Sequence, residues 1–434
     1  MNIPINLERL AETFVQLCEI DSPSRREKKV SDFLTKTFRD LGATSICEDQ
    51  SSIRTGSDCG NLVISFPGRG RGDGTNQEPI LLACHMDTVE PGCGVEVTRN
   101  GDIFTSRGDT VLGSDDKSGI AAIIELIRIL RETSIDHAPL ELLFTTCEEI
   151  GLIGAKALDR TLLTARFGYA LDSTGIDRII IGAPAANKLK IEVHGIAAHA
   201  GLNPEQGISA LCLTANAITN LRLGRLDEES TANFGIIHGG VATNIIPDHI
   251  TIEGEVRSHS LSKLIEHTEE IKRTFQQVIE CWPFPPSLAP TALGHPCPSP
   301  LPPSMAPALG HPCPSPLPPT ITSTSCEHSC PAPLSPATES LPSVEISIQS
   351  EYPAMHLEMH EPVITHVKEA AQKLGRTLEF EIAGGGSDAN IFNSFGLSTA
   401  IIATGMNKVH TTDECLDMKD LIRLTELLYA IAVH

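Results

Sequence analysis

The sequence lacks any long apolar run. No stretch of its 434 residues reaches the roughly 18 consecutive apolar residues of a membrane-spanning helix, so we expect no membrane partner. Residues 1–20 mix charged with apolar side chains at helical spacing, which predicts an amphipathic helix rather than the apolar core of a signal peptide. We therefore expect a cytoplasmic protein, long enough for two ordinary domains.

A regular cysteine framework and an excess of positive charge are also lacking. The 13 cysteines are odd in number and scattered, so reduced thiols are expected rather than a disulfide scaffold. Only 33 Lys and Arg face 55 Asp and Glu, which gives a formal charge of -22. This charge opposes binding to nucleic acid or anionic lipid, although it says nothing about a reaction.

One segment lacks basic residues altogether. Residues 283–342 contain no Lys or Arg but hold 19 of the 30 prolines, and the unit at 292–303 recurs at 308–319. Such a composition cannot form a packed core and predicts a disordered or polyproline-like insertion. Its cysteines and histidines raise the alternative of a zinc site, but their spacing matches no tetrahedral pattern, so we favour the insertion.

What the sequence does contain is a strand-like run, Ile-Leu-Leu-Ala-Cys at 80–84, that ends in His85 and Asp87. The two-residue period of a strand places these two side chains on the same side. A metal ligand and the carboxylate that orients it can sit together there. A histidine at a strand end is more often structural, so the interpretation depends on partners elsewhere in the chain.

The surrounding pattern predicts an α/β fold. Apolar strands alternate with amphipathic helices before residue 184 and after residue 355, which favours a mostly parallel sheet whose strand ends meet at one edge. Between these parts, alternating strands and two helices predict a smaller inserted α+β unit. The predicted divisions are 1–183 and 356–434 for the larger domain and 184–355 for the inserted domain.

Two imidazoles and four carboxylates fall at predicted strand ends or loop starts: His85, Asp115, Glu148, Glu149, Asp172 and His410. This mixture of ligands suits Zn²⁺, Mn²⁺ or Co²⁺, and a shared carboxylate would let two ions sit roughly 3.5 Å apart with an activated water. Because neighbours at a strand end point in different directions, one of Glu148 and Glu149 can bind metal while the other takes a proton. The alternative for Asp115 is a simple helix cap.

Six short stretches resemble, in order, the motifs of peptidase T and its relatives. They are HMDTV (85–89), GSDDKSG (113–119), CEEIG (147–151), GIAAHAG (195–201), GGGSD (384–388) and HTTDE (410–414). That superfamily of two-zinc exopeptidases and deacylases also includes aminoacylases, glutamate carboxypeptidases and succinyl-diaminopimelate desuccinylase. The resemblance covers nearly the whole chain except residues 283–342.

The resemblance implies two divalent ions per subunit, Zn²⁺ first, with Co²⁺ or Mn²⁺ as alternatives. The implied metal ligands are His85, Asp115, Glu149, Asp172 and His410, with Asp115 shared by both ions. Asp87 would hold and polarise His85, and Glu148 would be the general base.

The inserted domain resembles the family's lid and dimerisation domain, which implies a homodimer. There His199 would steady the tetrahedral intermediate, in its own or the partner subunit's site. The implied substrate-binding residues are Asn244, Arg257, Gly385 and Gly386. Their structural alternatives are a turn for Asn244 and a surface salt bridge for Arg257.

The sequence therefore predicts a metal-dependent exopeptidase of the peptidase T-like type that hydrolyses short peptides. An N-acyl amino acid deacylase or carboxypeptidase on the same site is the enzymatic alternative. The non-enzymatic alternative is an inactive relative that binds metal or peptide, with the proline-rich segment as a ligand for polyproline-reading domains.

Overall fold

The computed structural model describes residues 3–70, 78–282 and 341–433. Residues 283–340 of the predicted disordered insertion lie outside these ranges. Within them, none of the helices combines the length and apolar character needed to cross a bilayer.

The chain contains long helices interleaved with mostly short strands. The helices are α1 (Leu7–Cys18), α2 (Lys28–Asp40), α3 (Ser52–Thr55), α4 (Ser114–Thr133), α5 (Ile153–Ala157), α6 (Ala210–Thr219), α7 (Leu261–Glu280), α8 (Pro362–Lys373), α9 (Asp388–Ser394) and α10 (Met418–Ala432). The strands are β1 (Ser45–Glu48), β2 (Leu62–Phe66), β3 (Ile80–His85), β4 (Val97–Asn100), β5 (Ile103–Ser106), β6 (Leu140–Thr145), β7 (Phe167–Ala170), β8 (Arg178–Ala183), β9 (Ala185–His194), β10 (Gly224–Arg225), β11 (Ser230–Gly239), β12 (His249–Ser258), β13 (Ser343–Tyr352), β14 (Met355–His356), β15 (Glu379–Ile382), β16 (Ser398–Ile402), β17 (Met406–Asn407) and β18 (Cys415–Asp417).

A nine-stranded sheet forms the centre of the molecule. Its order is β1-β2-β6-β3-β7-β16-β8-β14, and β15 also pairs with β8. The four central strands β6, β3, β7 and β16 are parallel, and antiparallel pairs lie toward both edges. The prediction of an α/β fold with a mostly parallel sheet is confirmed.

Both faces of this sheet are buried. Leu82 and Leu142 pack into one hydrophobic core, whereas their neighbours Leu81 and Leu143 pack into another core on the opposite face. All six residues of β3 are buried, which explains why the sequence shows a continuous apolar run there rather than an alternation. Helix α4 packs against β3, α1 and α10, so the helix that starts near the predicted site is anchored in the larger core.

The first and last helices show how the local sequence determines where a helix begins and which face it buries. Asn6 caps α1 by accepting a hydrogen bond from the Arg9 amide at 3.1 Å, and Asp417 caps α10 through the Lys419 amide at 2.9 Å. Apolar residues three or four positions apart then face the core, as with Leu421 and Leu424.

A second, antiparallel sheet lies between β8 and β14 in the chain. Its order is β10-β11-β12-β9-β13, and helices α6 and α7 cover one face over a separate core. In β9, Leu189 and Ile191 point into that core while Lys188 and Lys190 lie on the open face. The predicted inserted α+β unit is thus present; we call it the small unit, and the rest the large unit.

A four-stranded sheet that the sequence did not predict completes the large unit. Its order is β17-β18-β5-β4, with antiparallel pairing throughout. The connection from β17 to β18 contains His410. This small sheet therefore carries the C-terminal loop toward the edge of the large sheet.

Candidate active site

The predicted site residues follow neighbouring strands of the large sheet. His85 is the last residue of β3, Glu148 and Glu149 follow β6, and Asp172 follows β7. Because β6, β3 and β7 are adjacent and parallel, their carboxyl ends meet at one edge. The structure brings these side chains into one buried cluster.

Asp115 lies at the centre of this cluster. Helix α4 begins at Ser114, and the capping position is occupied by Gly113 at φ 78° rather than by Asp115. The backbone of Asp115 is not helical, with φ -82° and ψ 103°. Its Oδ1 lies 3.0 Å from His85 Nε2 and its Oδ2 lies 3.3 Å from His410 Nε2, so each oxygen faces a different histidine.

His410 reaches the cluster from the loop between β17 and β18. Its Nε2 also lies 3.2 Å from Glu149 Oε2, while about half of its side chain remains exposed. Hydrogen bonds to Asp115 and Glu149 raise the pKa of His410 to about 10. This imidazole therefore joins the C-terminal part of the large unit to the part that precedes the small unit.

The donor atoms form overlapping sets that can each hold a cation. His85, Asp115 and Asp172 form one set and Asp115, Glu149 and His410 form another, with the donor atoms of each set within 4.8 Å of one another. A third set, His85 with Glu148 and Glu149, overlaps both.

The chemistry of the cluster fits divalent cations. Buried Glu149 Oε1 has no hydrogen-bond partner among the described residues. Burial, and then the nearby Asp115, raises the pKa of Asp172 well above its usual range, and burial raises that of Glu149. Closely packed buried carboxylates are costly without compensating positive charge, and bound divalent ions supply it. Nitrogen and oxygen donors around a shared carboxylate fit two such ions.

Asp87 holds the residues around it. His85 Nδ1 lies 2.9 Å from the Asp87 backbone carbonyl and 3.4 Å from its Oδ1, which leaves Nε2 to face the donor set. The Asp87 carboxylate also accepts hydrogen bonds from the amides of Glu148 at 3.0 Å and Glu149 at 3.2 Å. Burial opposes ionisation, but hydrogen bonds from His85 and Ser24 outweigh it and keep the pKa of Asp87 below its usual value.

Glu148 is buried beside this arrangement. Burial, and then the Asp172 carboxyl, raises the pKa of Glu148 well above its usual range. A cavity of about 10 Å³ is lined by Glu148, His85, Asp172 and Asp388 among others. That is about the space of one water molecule. A carboxyl group beside a water-sized space can serve as a proton acceptor.

The small unit meets the large unit close to the predicted glycines. Arg257 Nη1 donates to the Gly384 carbonyl at 3.3 Å, and its Nε lies 2.9 Å from Glu255 Oε1. A Cβ on Gly385 would lie 3.5 Å from Arg257 Nη1. Arg257, Gly385 and Gly386 are thus brought together where the two units touch.

The structure does not bring His199 and Asn244 to the cluster. Both residues are exposed on loops of the small unit and lie beside each other, since the Ala200 amide donates to the Asn244 carbonyl at 2.9 Å. His199 Nδ1 accepts hydrogen bonds from the Gly201 and Leu202 amides at 3.1 Å. Across the described ranges, neither side chain bonds to a residue of the carboxylate cluster.

Sequence reasoning missed the role of Glu414 in holding Asp115. This carboxylate is 1% exposed and accepts hydrogen bonds from the Leu112 and Gly113 amides, the Ser114 hydroxyl and the Asp115 amide. It therefore ties the His410 loop to the start of α4. Its place in the HTTDE stretch was visible in the sequence, but no local pattern identifies its partners.

Further residues beside the cluster also went unassigned. Asp388 is buried and accepts a hydrogen bond from the Thr145 hydroxyl, and Lys117 is buried with its Nζ 3.0 Å from Thr88 Oγ1. The Tyr352 hydroxyl accepts a hydrogen bond from the Gly386 amide at 3.3 Å. Asp388 and Lys117 stand in two of the quoted motifs, whereas Tyr352 follows no recognisable pattern.

The sequence also matches a known peptidase family and its members. The model of peptidase family M20/M25/M40 matches residues 81–434. The Bacillus subtilis protein YqjE is 35% identical over 429 residues, which cover 98% of each chain.

Two crystal structures are similar over almost the full length. An aminopeptidase PepT from Bacillus cereus has a TM-score of 0.78 and 34% identity, covering 99% of this chain and 98% of that one. A tripeptidase from Staphylococcus aureus has a TM-score of 0.80 and 30% identity, with the same coverage. These similarities confirm the prediction of a metal-dependent exopeptidase. The chain belongs to peptidase family M20/M25/M40.

Proposed function

We propose that this protein is a two-metal aminopeptidase that acts on short peptides such as tripeptides. The observation that carries the proposal is Asp115, whose two oxygens each face one histidine at 3.0 and 3.3 Å. The similarity to an aminopeptidase and a tripeptidase over the full length supports the choice of substrate.

In this proposal, His85 and Asp172 hold one ion, Glu149 and His410 hold the other, and Asp115 is shared. Zn²⁺ is the expected metal because imidazole and carboxylate donors suit it, with Co²⁺ or Mn²⁺ as alternatives. When bound, two such ions would polarise the scissile carbonyl and make water more acidic.

The protein's own residues would transfer the proton and bind the substrate. Glu148 would take the proton from the attacking water and deliver it to the nitrogen of the departing amine, while Asp87 keeps His85 and the 148–149 backbone in place. Arg257 and the amides of Gly385 and Gly386 would bind the substrate's terminal carboxylate, since guanidinium and backbone N–H groups both donate to anions. Asn244 and His199 lie away from the cluster, so they would act either after movement of the small unit or in the partner subunit's site, where Asn244 would contact the substrate and His199 would stabilise the oxyanion.

The neighbouring glutamates offer a matched test of the general base. We expect Glu148→Gln to lower kcat by at least about 10²-fold while both metals stay bound, because only proton transfer is removed. Glu149→Gln should instead lower metal content, since Glu149 faces His410 at 3.2 Å. Turnover by Glu148→Gln at the wild-type rate would remove Glu148 from this role.

The substrate class is tested with a free tripeptide, its N-acetyl form and its C-terminal amide on metal-loaded protein. An aminopeptidase cleaves the free peptide and not the N-blocked one. Cleavage of the N-acetyl form alone would favour the deacylase or carboxypeptidase alternative. Metal content per chain, measured on the same sample, shows how many ions accompany activity.

We further propose a homodimer in which the small unit, residues 184–355, forms the lid and the interface. Strand β11 lies at a sheet edge where β10 pairs only with Thr231 and Ala232. Beyond these residues Ile236 and Ile237 are 46% and 55% exposed. An unpaired apolar strand edge is a ready surface for a second copy. The mass in solution tests this, and Ile237→Lys should yield monomers if the edge is the interface.

We also propose a cytoplasmic location. Eight cysteines in the described ranges carry free thiols, which suits a reducing compartment: Cys18, Cys47, Cys59, Cys84, Cys93, Cys147, Cys212 and Cys415. Cell fractionation with an antibody to the protein is the direct test.

A further inference from the structure

The small unit is joined to the large unit by two short linkers that both contain proline. Pro184 separates β8 from β9, and Pro353 lies between β13 and β14. Proline fixes φ near -65°, so neither linker bends freely at that residue. The positions of these two residues therefore govern how the small unit is oriented.

One side chain of the large unit contacts both linkers. Asn390 is fully buried, and its Nδ2 donates to the Pro184 carbonyl at 3.1 Å and to the Pro353 carbonyl at 2.7 Å. Its Oδ1 accepts a hydrogen bond from the Ser387 amide at 3.0 Å, in the capping box that starts α9. Because two partners are acceptors and the third is a donor, this amide orientation is the one that satisfies all of them.

The segment that ends in Asn390 touches the small unit at two further points. The Gly384 carbonyl accepts a hydrogen bond from Arg257, and the Gly386 amide donates to the hydroxyl of Tyr352, the residue before Pro353. Residues 384–390 thus combine the glycines expected to bind substrate with the contacts that hold both linkers.

We propose that Asn390 is a positioning residue that fixes both linkers and thereby sets how the small unit places Arg257 against the glycines at 384–386. The consequence for catalysis rests on the proposed function, whereas the effect on the linkers rests only on the contacts described above. Asn390 touches no reacting atom in this proposal.

A purely local role in helix α9 is the competing explanation, and Asn393 provides the matched control. It lies in the same helix, and its Nδ2 also donates to two carbonyls, those of Ala389 and Thr399, both at 2.8 Å, and contacts Met355 Sδ at 3.7 Å. None of these partners belongs to the Pro184 linker. Asn393→Ala therefore removes the same kind of hydrogen bonds without affecting that linker, and the control is read in the peptide that covers residues 181–186.

Asn390→Asp is the sharpest variant. Aspartate keeps an oxygen to accept from the Ser387 amide, so the helix cap is retained, but it cannot donate to both Pro184 and Pro353, because the carboxylate has no proton and the neutral acid has a single O–H. The test is amide hydrogen exchange by mass spectrometry on the full metal-loaded chain, read in peptides that cover residues 181–186 and 352–357. The same samples are assayed for kcat and KM on a tripeptide and for metal content.

We expect exchange in the linker peptides of Asn390→Asp to rise by about 5- to 30-fold, the factors that correspond to losing one or both neutral hydrogen bonds. Metal content should stay at the wild-type level while kcat/KM falls. Asn393→Ala should leave exchange in the 181–186 peptide unchanged. If Asn390→Asp does not fold, Asn390→Ser, which is too short to reach either linker, takes its place.

Wild-type exchange in the linkers of the Asn390 variant would overturn the proposal and leave Asn390 as a helix cap. Equal exchange in the 181–186 peptide of the Asn390 and Asn393 variants would do the same. If the wild-type protein cleaves none of the peptides, the proposed function fails, but the exchange data still decide whether Asn390 holds the linkers.

Discussion

Replacing Glu414 tests whether the cation site depends on a residue that binds no metal. Its Oε2 accepts from the Leu112 and Gly113 amides at 2.8 and 2.9 Å, and its Oε1 from Ser114 Oγ at 2.5 Å and the Asp115 amide at 3.2 Å. Hydrogen bonds to a buried charge contribute about 1.5–3 kcal/mol each, and an orphaned buried amide costs about 1–3 kcal/mol.

These values give different expectations for two substitutions. In Glu414→Gln the amide oxygen can keep Leu112 and Gly113 while the NH₂ group donates to Ser114, so mainly the Asp115 amide loses its partner and the cost is about 1–3 kcal/mol. Glu414→Ala leaves all four donors without this acceptor, and we expect a loss of at least about 4 kcal/mol, the low end of about 1–3 kcal/mol for each donor. In both, the turn that presents Asp115 loosens, so metal affinity should fall along with stability.

The assay is urea unfolding of the metal-free protein together with metal binding followed by competition with a chelator. Glu125→Gln is the matched control, because Glu125 is another fully buried glutamate, on the same helix, that accepts from the Asn6 amide and from Arg9. It should lose stability and keep wild-type metal affinity. Wild-type metal affinity in Glu414→Ala would refute the reasoning.

Two further predictions concern the glycine loop and the metals. A Cβ on Gly386 would overlap the Tyr352 ring, whereas one on Gly385 would make an ordinary contact at 3.5 Å, so Gly386→Ala should raise KM for a tripeptide several-fold more than Gly385→Ala; equal KM values would contradict this. Removing metal should lower the unfolding temperature, because a ligand at 100 times its Kd stabilises the folded state by about 2.7 kcal/mol, and readdition of Zn²⁺ should restore it. An unfolding temperature that is the same with and without the chelator would show that the ions contribute nothing to folding.

Much of the large sheet could be predicted because its strands are buried on both faces. Fully apolar strands such as β3 and β6 stand out in a sequence, and their carboxyl ends must lie together if they are parallel neighbours. That argument brought His85, Glu148 and Asp172 to one edge. His410 was a candidate only as an imidazole at a predicted loop start, and the resemblance then assigned it to the second metal; no periodic pattern could place its loop.

The rest depends on contacts between distant parts of the chain. Strands β4, β5, β17 and β18 have only two to four residues, too few to show a period, so the sheet that supports the His410 loop was missed. Glu414 and Asn390 act through backbone groups about 300 and 206 positions away in sequence, and backbone groups leave no trace in residue identity. Polar side chains that bond to remote backbone are therefore the group that sequence reasoning overlooks most easily.

The adjacent Asp115 and Asp116 show how structure separates residues that composition cannot. Both are buried, but Asp115 faces two histidines, and hydrogen bonds from them outweigh burial and hold its pKa below the usual range. Asp116 has no hydrogen-bond partner for either oxygen among the described residues, and burial raises its pKa well above the usual value. Among the described residues, Asp115 belongs to two of the donor sets that can hold a cation, whereas Asp116 belongs to none. The two environments therefore support Asp115 as the shared ligand, and they do so without reference to any relative.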